Sequence, residues 1–176
     1  MAGSLIKIDE EIVTSAVASV TLTGIDSTYD VYMVAFNNVA PTVDSRALRF
    51  RITKSGSADT TANYDYAAKL FRTDAAFNNL SGTNGTYYEL ESGVGNATGE
   101  AFNGIHYLFN FNNASEYSFV TFENAGLNLN ALFIGKQGGF VHTVASASDG
   151  VQFFFSSDNI NSGKFTLYGL KKWLMV

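Results

Sequence analysis

The residues that could do chemistry in this chain are few. Histidine comes first, because its charge changes near neutral pH and its ring is a common metal ligand. There are two, His106 and His142. Both fall inside alternating apolar segments and neither belongs to an H-E-x-x-H or similar spacing, so they read as ordinary strand positions. A shared zinc or proton-transfer site would need the two rings to converge with a carboxylate. Glycoside hydrolysis would need two acids held across a sugar cleft, and Asp65, Glu89, Glu91, Glu100 and Glu123 are present without a spacing that pairs them. Asp149 and the run Asp158-Asn159-Ile160-Asn161 offer oxygen ligands but lack the spaced acids of a dedicated calcium loop. The run 135–139, G-K-Q-G-G, is shorter than a P-loop. Cysteine is absent, which removes thiol catalysis, disulfides and thiolate metal sites. The expectation is therefore no catalytic residue, no metal and no cofactor.

Aromatic side chains are the remaining candidates. Fifteen Phe and nine Tyr stand against one Trp. Phe-rich alternation reads as core, whereas Tyr64, Tyr66, Tyr87 and Tyr88 sit beside polar loops and are the candidate contacts if a glycan is bound. Two terminal segments are candidate contacts with another subunit or a larger shell. Leu5, Ile6 and Ile8 precede the acidic run Asp9-Glu10-Glu11, which is either an edge strand with a solvated turn or an anchor facing basic residues. At the other end Trp173, Leu174 and Met175 follow a basic pair, and this apolar tail either packs back on its own subunit or docks on a neighbour.

The elements that must position these residues are strands. The stretch 150–172 is the clearest, with Val151, Phe153 and Phe155 alternating with Gln152, Phe154 and Ser156, and Phe165 and Leu167 alternating with Thr166 and Tyr168. The Ser, Asp, Asn and Gly between them predict a reversal, hence a hairpin. V-Y-M-V-A-F at 31–36 is apolar on both faces and predicts a central strand. Leu48, Phe50 and Ile52 alternate with Arg49, Arg51 and Thr53, so that strand has one wet face. Residues 64–72 fit a helical stripe as well as a strand, and context favours the strand. Residues 73–99 form the longest poorly patterned region, with a short apolar piece at 87–90 and a turn signal at Asn84-Gly85. Ile105, Tyr107, Phe109 and Phe111 make another alternating face, with 117–123 as hairpin partner. Separate apolar pieces follow at 132–134 and 140–145, the second introduced by Gly138-Gly139.

Eight or more strands without a convincing helix point to an all-β, antiparallel two-sheet sandwich, and among these the jelly roll is the expected form. Residues 1–13 read as an N-terminal arm and 14–176 as a single domain. The 176-residue chain is 46% hydrophobic, enough for one substantial core. With only 15% charged residues, it is expected to hide apolar area in an assembly. A net charge of −5 argues against nucleic acid, which needs clustered Lys and Arg. No stretch approaches a membrane span and no signal peptide is read at the start, so no membrane partner is expected.

Several segments carry a resemblance: G-I-D-S-T-Y-D-V-Y-M at 24–33, R-F-R-I-T-K-S-G-S-A-D-T-T-A-N-Y-D-Y at 49–66, N-N-A-S-E-Y at 112–117, G-G-F-V-H-T-V-A-S-A-S-D-G at 138–150 and S-G-K-F-T-L-Y-G-L-K at 162–171. Together they resemble small virion proteins of marine tailed bacteriophages, of cyanophage type. The resemblance implies a jelly-roll capsid decoration or cement protein, made in the host bacterial cytoplasm and displayed on the virion surface. Its implied partners are copies of itself, as a homotrimer, and the major capsid protein. The alternative it implies is a head or tail fibre module that recognises a host glycan. In either role no bond is made or broken.

Overall fold

The computed structural model describes residues 4–171. Those residues contain thirteen strands and no helix. In chain order they are β1 Leu5–Val13, β2 Ser19–Thr23, β3 Val31–Pro41, β4 Arg46–Lys54, β5 Ser57–Ala58, β6 Tyr64–Arg72 and β7 Ala75–Gly85. Then come β8 Tyr88–Val94, β9 Phe102–Phe109, β10 Ser118–Leu127, β11 Phe133–His142, β12 Gly150–Phe155 and β13 Ile160–Leu170. They form two antiparallel sheets. One has eight strands in the order β1-β13-β3-β9-β10-β11-β6-β7, and the other runs β2-β12-β4-β5 with β8 also paired to β4.

The core is the space between the sheets. From the eight-stranded side come Val34, Phe36, Leu108, Phe122, Phe140, Phe165 and Leu167; from the other come Leu22, Leu48, Phe50, Ile52, Leu90, Val151 and Phe153, all buried. Phe153 meets Phe36 at 5.4 Å, Phe50 at 5.3 Å and Phe165 at 5.1 Å between ring centroids. Such tilted and edge-on rings add attraction beyond their buried area.

The expected hairpin over 150–172 does not form. β12 pairs with β2 and β4, while β13 pairs with β1 and β3 in the opposite sheet. Residues 156–159 turn the corner between sheets. Alternation fixes which side chains face the core, and it is the same for two strands side by side and two strands facing each other across a sandwich. The chain takes the second option because Phe153 and Phe165 then interlock through the core.

Two further expectations change. The unpatterned region 73–99 contains β7 and β8, and β7 escaped notice because it is an edge strand whose Asn78, Asn79, Ser81 and Thr83 face solvent. The apolar pieces at 132–134 and 140–145 belong largely to one strand, β11, which runs straight through three glycines. A Cβ at Gly135 would enter the Phe71 ring and one at Gly138 would meet the Ala67 carbonyl, so these glycines permit close cross-strand packing within one continuous strand. The strand over 64–72, the central placement of 31–36 and the β9–β10 hairpin are as expected.

Residues 5–13 of the expected arm are an edge strand of the sandwich. Asp9 sits at the bulge in β1 and closes the gap between sheets, accepting hydrogen bonds from its neighbour Glu10 N (2.8 Å) and from Thr23 N on β2 (2.7 Å).

Candidate functional site

The two histidines do not share a site. His106, on the inner face of β9, lies against Phe36, Phe50, Phe122 and Phe153, and its Nε2 is 3.0 Å from Asn124 Oδ1. Burial drives its pKa down to about 4, with the Asn124 contact opposing the shift. His142, buried on β11, faces Asp59 Oδ2 at 3.2 Å and packs edge-on against Tyr64. Its pKa is lowered first by burial and then by Lys54, against the pull of Asp59. Burial lifts the Asp59 carboxyl, but bonds from Lys54 (2.7 Å) and Thr61 outweigh this and hold it well below the usual carboxylate range. The cluster ties β4, the loop after β5 and β11 together.

Both histidine shifts have the same sign for stability. The folded pKa lies below the unfolded value of 6.5, so the unfolded chain takes up the proton first as pH falls. Stability from the neutral rings is complete above pH 6.5 and drains away as pH falls below it; for His106 the loss runs on to about pH 4 and amounts to about 3 kcal/mol. Urea midpoints measured at about pH 7.5 and about pH 4.5 should differ, and His106→Gln should narrow that difference by a large part. An unchanged gap in the variant would remove His106 from the account.

The carboxylates considered above are each engaged by a different partner. Asp65 accepts from Asn84 N at 2.7 Å, Glu89 faces Arg49 at 3.6 Å and Glu100 accepts from Ala97 N at 3.1 Å. Glu91 is buried between the sheets with Lys136 Nζ at 3.8 Å. Asp149 takes Thr53 Oγ1 and Gly56 N, both at 2.6 Å, and Asp158 pairs with Arg46 at 2.5 Å. No group of three or more His, Asp or Glu able to hold a metal occurs among the described residues.

The tyrosine candidates for a glycan need correcting. Tyr64 and Tyr88 are core residues, Tyr64 bonding Ile52 N and the Asp59 carbonyl and Tyr88 stacking on Phe140 at 4.8 Å. Tyr66 is half-buried against Tyr88, and the Tyr87 ring is covered by the Arg49 guanidinium at 4.0 Å. Position beside a polar loop did not expose these rings: β6 and β8 turn Tyr64, Tyr66 and Tyr88 inward or sideways, and Tyr87, in the bend before β8, lies under Arg49. The acidic anchor is also corrected in part. Asp9 is used as described, and Glu10 is held by Lys7 (3.3 Å), Lys164 (3.0 Å) and the Thr166 hydroxyl (3.3 Å), so both carboxylates already have partners within the protein. Leu5, Ile6 and Glu11 are exposed and Ile8 packs against the core margin. Trp173, Leu174 and Met175 lie outside the described residues.

The surface that stands out is the outer face of the eight-stranded sheet. Register places Val31, Phe109, Phe119 and Val141 in one row across β3, β9, β10 and β11, and Met33, Tyr107 and Thr121 in the next. Ile105 is 45% exposed, Tyr107 40% and Phe119 44%, on a central strand pair where a wet face is normally polar. Sequence alternation picked out Ile105, Tyr107 and Phe109 as a face, yet the buried register of β9 is Phe102, His106 and Leu108. The signal was present: G-I-H-Y-L-F is apolar on both faces. Further along the same strands, small residues at Ala35 and Ala125 lower the surface into a groove of about 790 Å³.

No protein-family model matches this chain, and no curated protein matches it. Fold and surface together define a two-sheet β-sandwich with one extended, largely apolar outer face.

Proposed function

We propose that this chain is a virion structural protein, a capsid decoration or cement module that works by association and carries out no reaction. The single observation behind this reading is the exposed apolar row on β9 and β10. Monomeric surfaces seldom keep such a patch wet, and its burial against a second copy or a shell subunit would supply the main attraction. Homotrimer formation and binding to the major capsid protein follow as the expected modes, each weak contact being multiplied when one assembly touches a lattice several times. Display on the particle after synthesis in a bacterial cytoplasm belongs to the same proposal.

Strand order supports the jelly-roll part of the reading. The sequences β1-β13-β3-β9 and β2-β12-β4-β8 each neighbour early strands with late ones, as two Greek keys rolled together require. On that description β6, β7, β10 and β11 are insertions that widen one sheet, and they carry much of the outer face.

The test is sedimentation equilibrium of the full chain and of a Tyr107→Asp/Phe119→Asp variant. The parent should sediment as an oligomer and bind emptied heads, and the variant should dissociate while keeping its melting temperature. A parent that stays monomeric with and without heads, or a variant that associates unchanged, would sink the proposal.

A further inference from the structure

The groove beside the apolar row has a different chemistry. It crosses the strands from β13 to β6, a span of about 24 Å at the usual strand spacing. Its volume of about 790 Å³ lies in the range of ligand sites. One wall is aromatic: Phe71 and Phe133 have ring centroids 6.2 Å apart, and Phe133 is 42% exposed. The middle holds a planar amide–carboxylate pair, with Gln137 Nε2 donating to Glu123 Oε1 at 2.8 Å. At the far side are Lys164 and Thr166.

We infer that this groove binds an uncharged saccharide chain. Sugars offer a C–H face that stacks on aromatic rings and hydroxyls that pair with amides and carboxylates, and both kinds of partner are arranged here along one line. The charge balance selects against a polyanion. Glu123 places a carboxylate in the groove, Lys164 is paired with Glu10, and Lys136 faces Glu91 in the core. A phosphate backbone would find no surplus cation. An extended peptide is disfavoured for another reason. It gains affinity by adding to a free strand edge, whereas the groove crosses central strands whose backbone groups are already paired with their neighbours. The site is distinct from the tyrosines first considered, and it does not depend on the assembly reading.

The experiment applies the full chain to an array of neutral and acidic oligosaccharides, followed by calorimetric titration of the best ligand. A neutral oligosaccharide should be retained. Phe133→Ala and Gln137→Ala, both surface changes, should each weaken its Kd by about tenfold, while Tyr107→Asp/Phe119→Asp leaves it unchanged. Retention of no neutral saccharide, or an affinity indifferent to both groove variants, overturns the inference. So does a change of oligomeric state in Phe133→Ala without saccharide binding, since a second copy would then occupy the groove. A parent that stays monomeric with and without heads yet binds the saccharide would sink the assembly proposal and leave this one standing.

Discussion

Lys136→Met is expected to destabilise the protein by about 3–5 kcal/mol, seen as a large fall in the urea midpoint at neutral pH. Lys136 reaches inward from β11 and meets Glu91 of β8, both side chains being almost fully buried. Their 3.8 Å separation makes an ion pair without a direct hydrogen bond, and Glu91 Oε2 has no hydrogen-bond partner. The other oxygen is served by Ser92, through its N–H at 2.8 Å and its hydroxyl at 3.2 Å. Removing the ammonium leaves a carboxylate in the core with half of its solvation replaced, and that unpaired charge sets the cost. Replacing both partners removes the charge problem. The double variant Lys136→Met/Glu91→Leu should therefore recover most of the loss, because a buried pair is often matched by apolar groups of similar volume. Unequal single effects with a large coupling in the cycle would establish the pair. Additive losses would mean that each residue matters for packing alone.

Phe153→Ala should cost about 3–5 kcal/mol, against under about 1 kcal/mol for Phe154→Ala next to it. Phe153 is fully buried and bridges the two sheets through Phe36, Phe50, Phe165 and His106. Truncation leaves a cavity that four rings on separate strands cannot all collapse to fill. Phe154 points outward, where the Arg51 guanidinium covers its ring at 4.4 Å and Tyr87 stands edge-on at 6.3 Å. What is lost there is an exposed cation–π contact and some stem packing. Thermal melts of the two variants measure the contrast, and equal shifts would show that the assignment of faces in β12 is wrong.

The same pair of residues explains how much of the fold could be read beforehand. Alternation in V-Q-F-F-F assigned Val151, Phe153 and Phe155 to one side, and that side is the core. It cannot say which strand lies alongside, so the same pattern predicts a hairpin where an arch between sheets forms. In β11, glycines that look like breaks are places where Phe71 and Ala67 press on the backbone. In β9, both registers are apolar, and only the opposite sheet decides that His106 goes inside and Tyr107 outside.

For the candidate site the division is sharper. The residue types were visible, but Phe71, Ile105, Glu123, Phe133, Gln137 and Lys164 come from five strands spread over nearly a hundred positions, and only pairing brings them to one face. Composition, two-residue periodicity and turn chemistry settled that this chain is an antiparallel β protein with one aromatic core, because those depend on each residue's own backbone preference and its neighbours two positions away. Strand order, the outward turn of Tyr107 and Phe119, the burial of Tyr64 and Tyr88 and the pairing of Lys136 with Glu91 were decided by the tertiary structure. Each depends on what the opposite sheet leaves room for, and that information is absent from any local stretch of the chain.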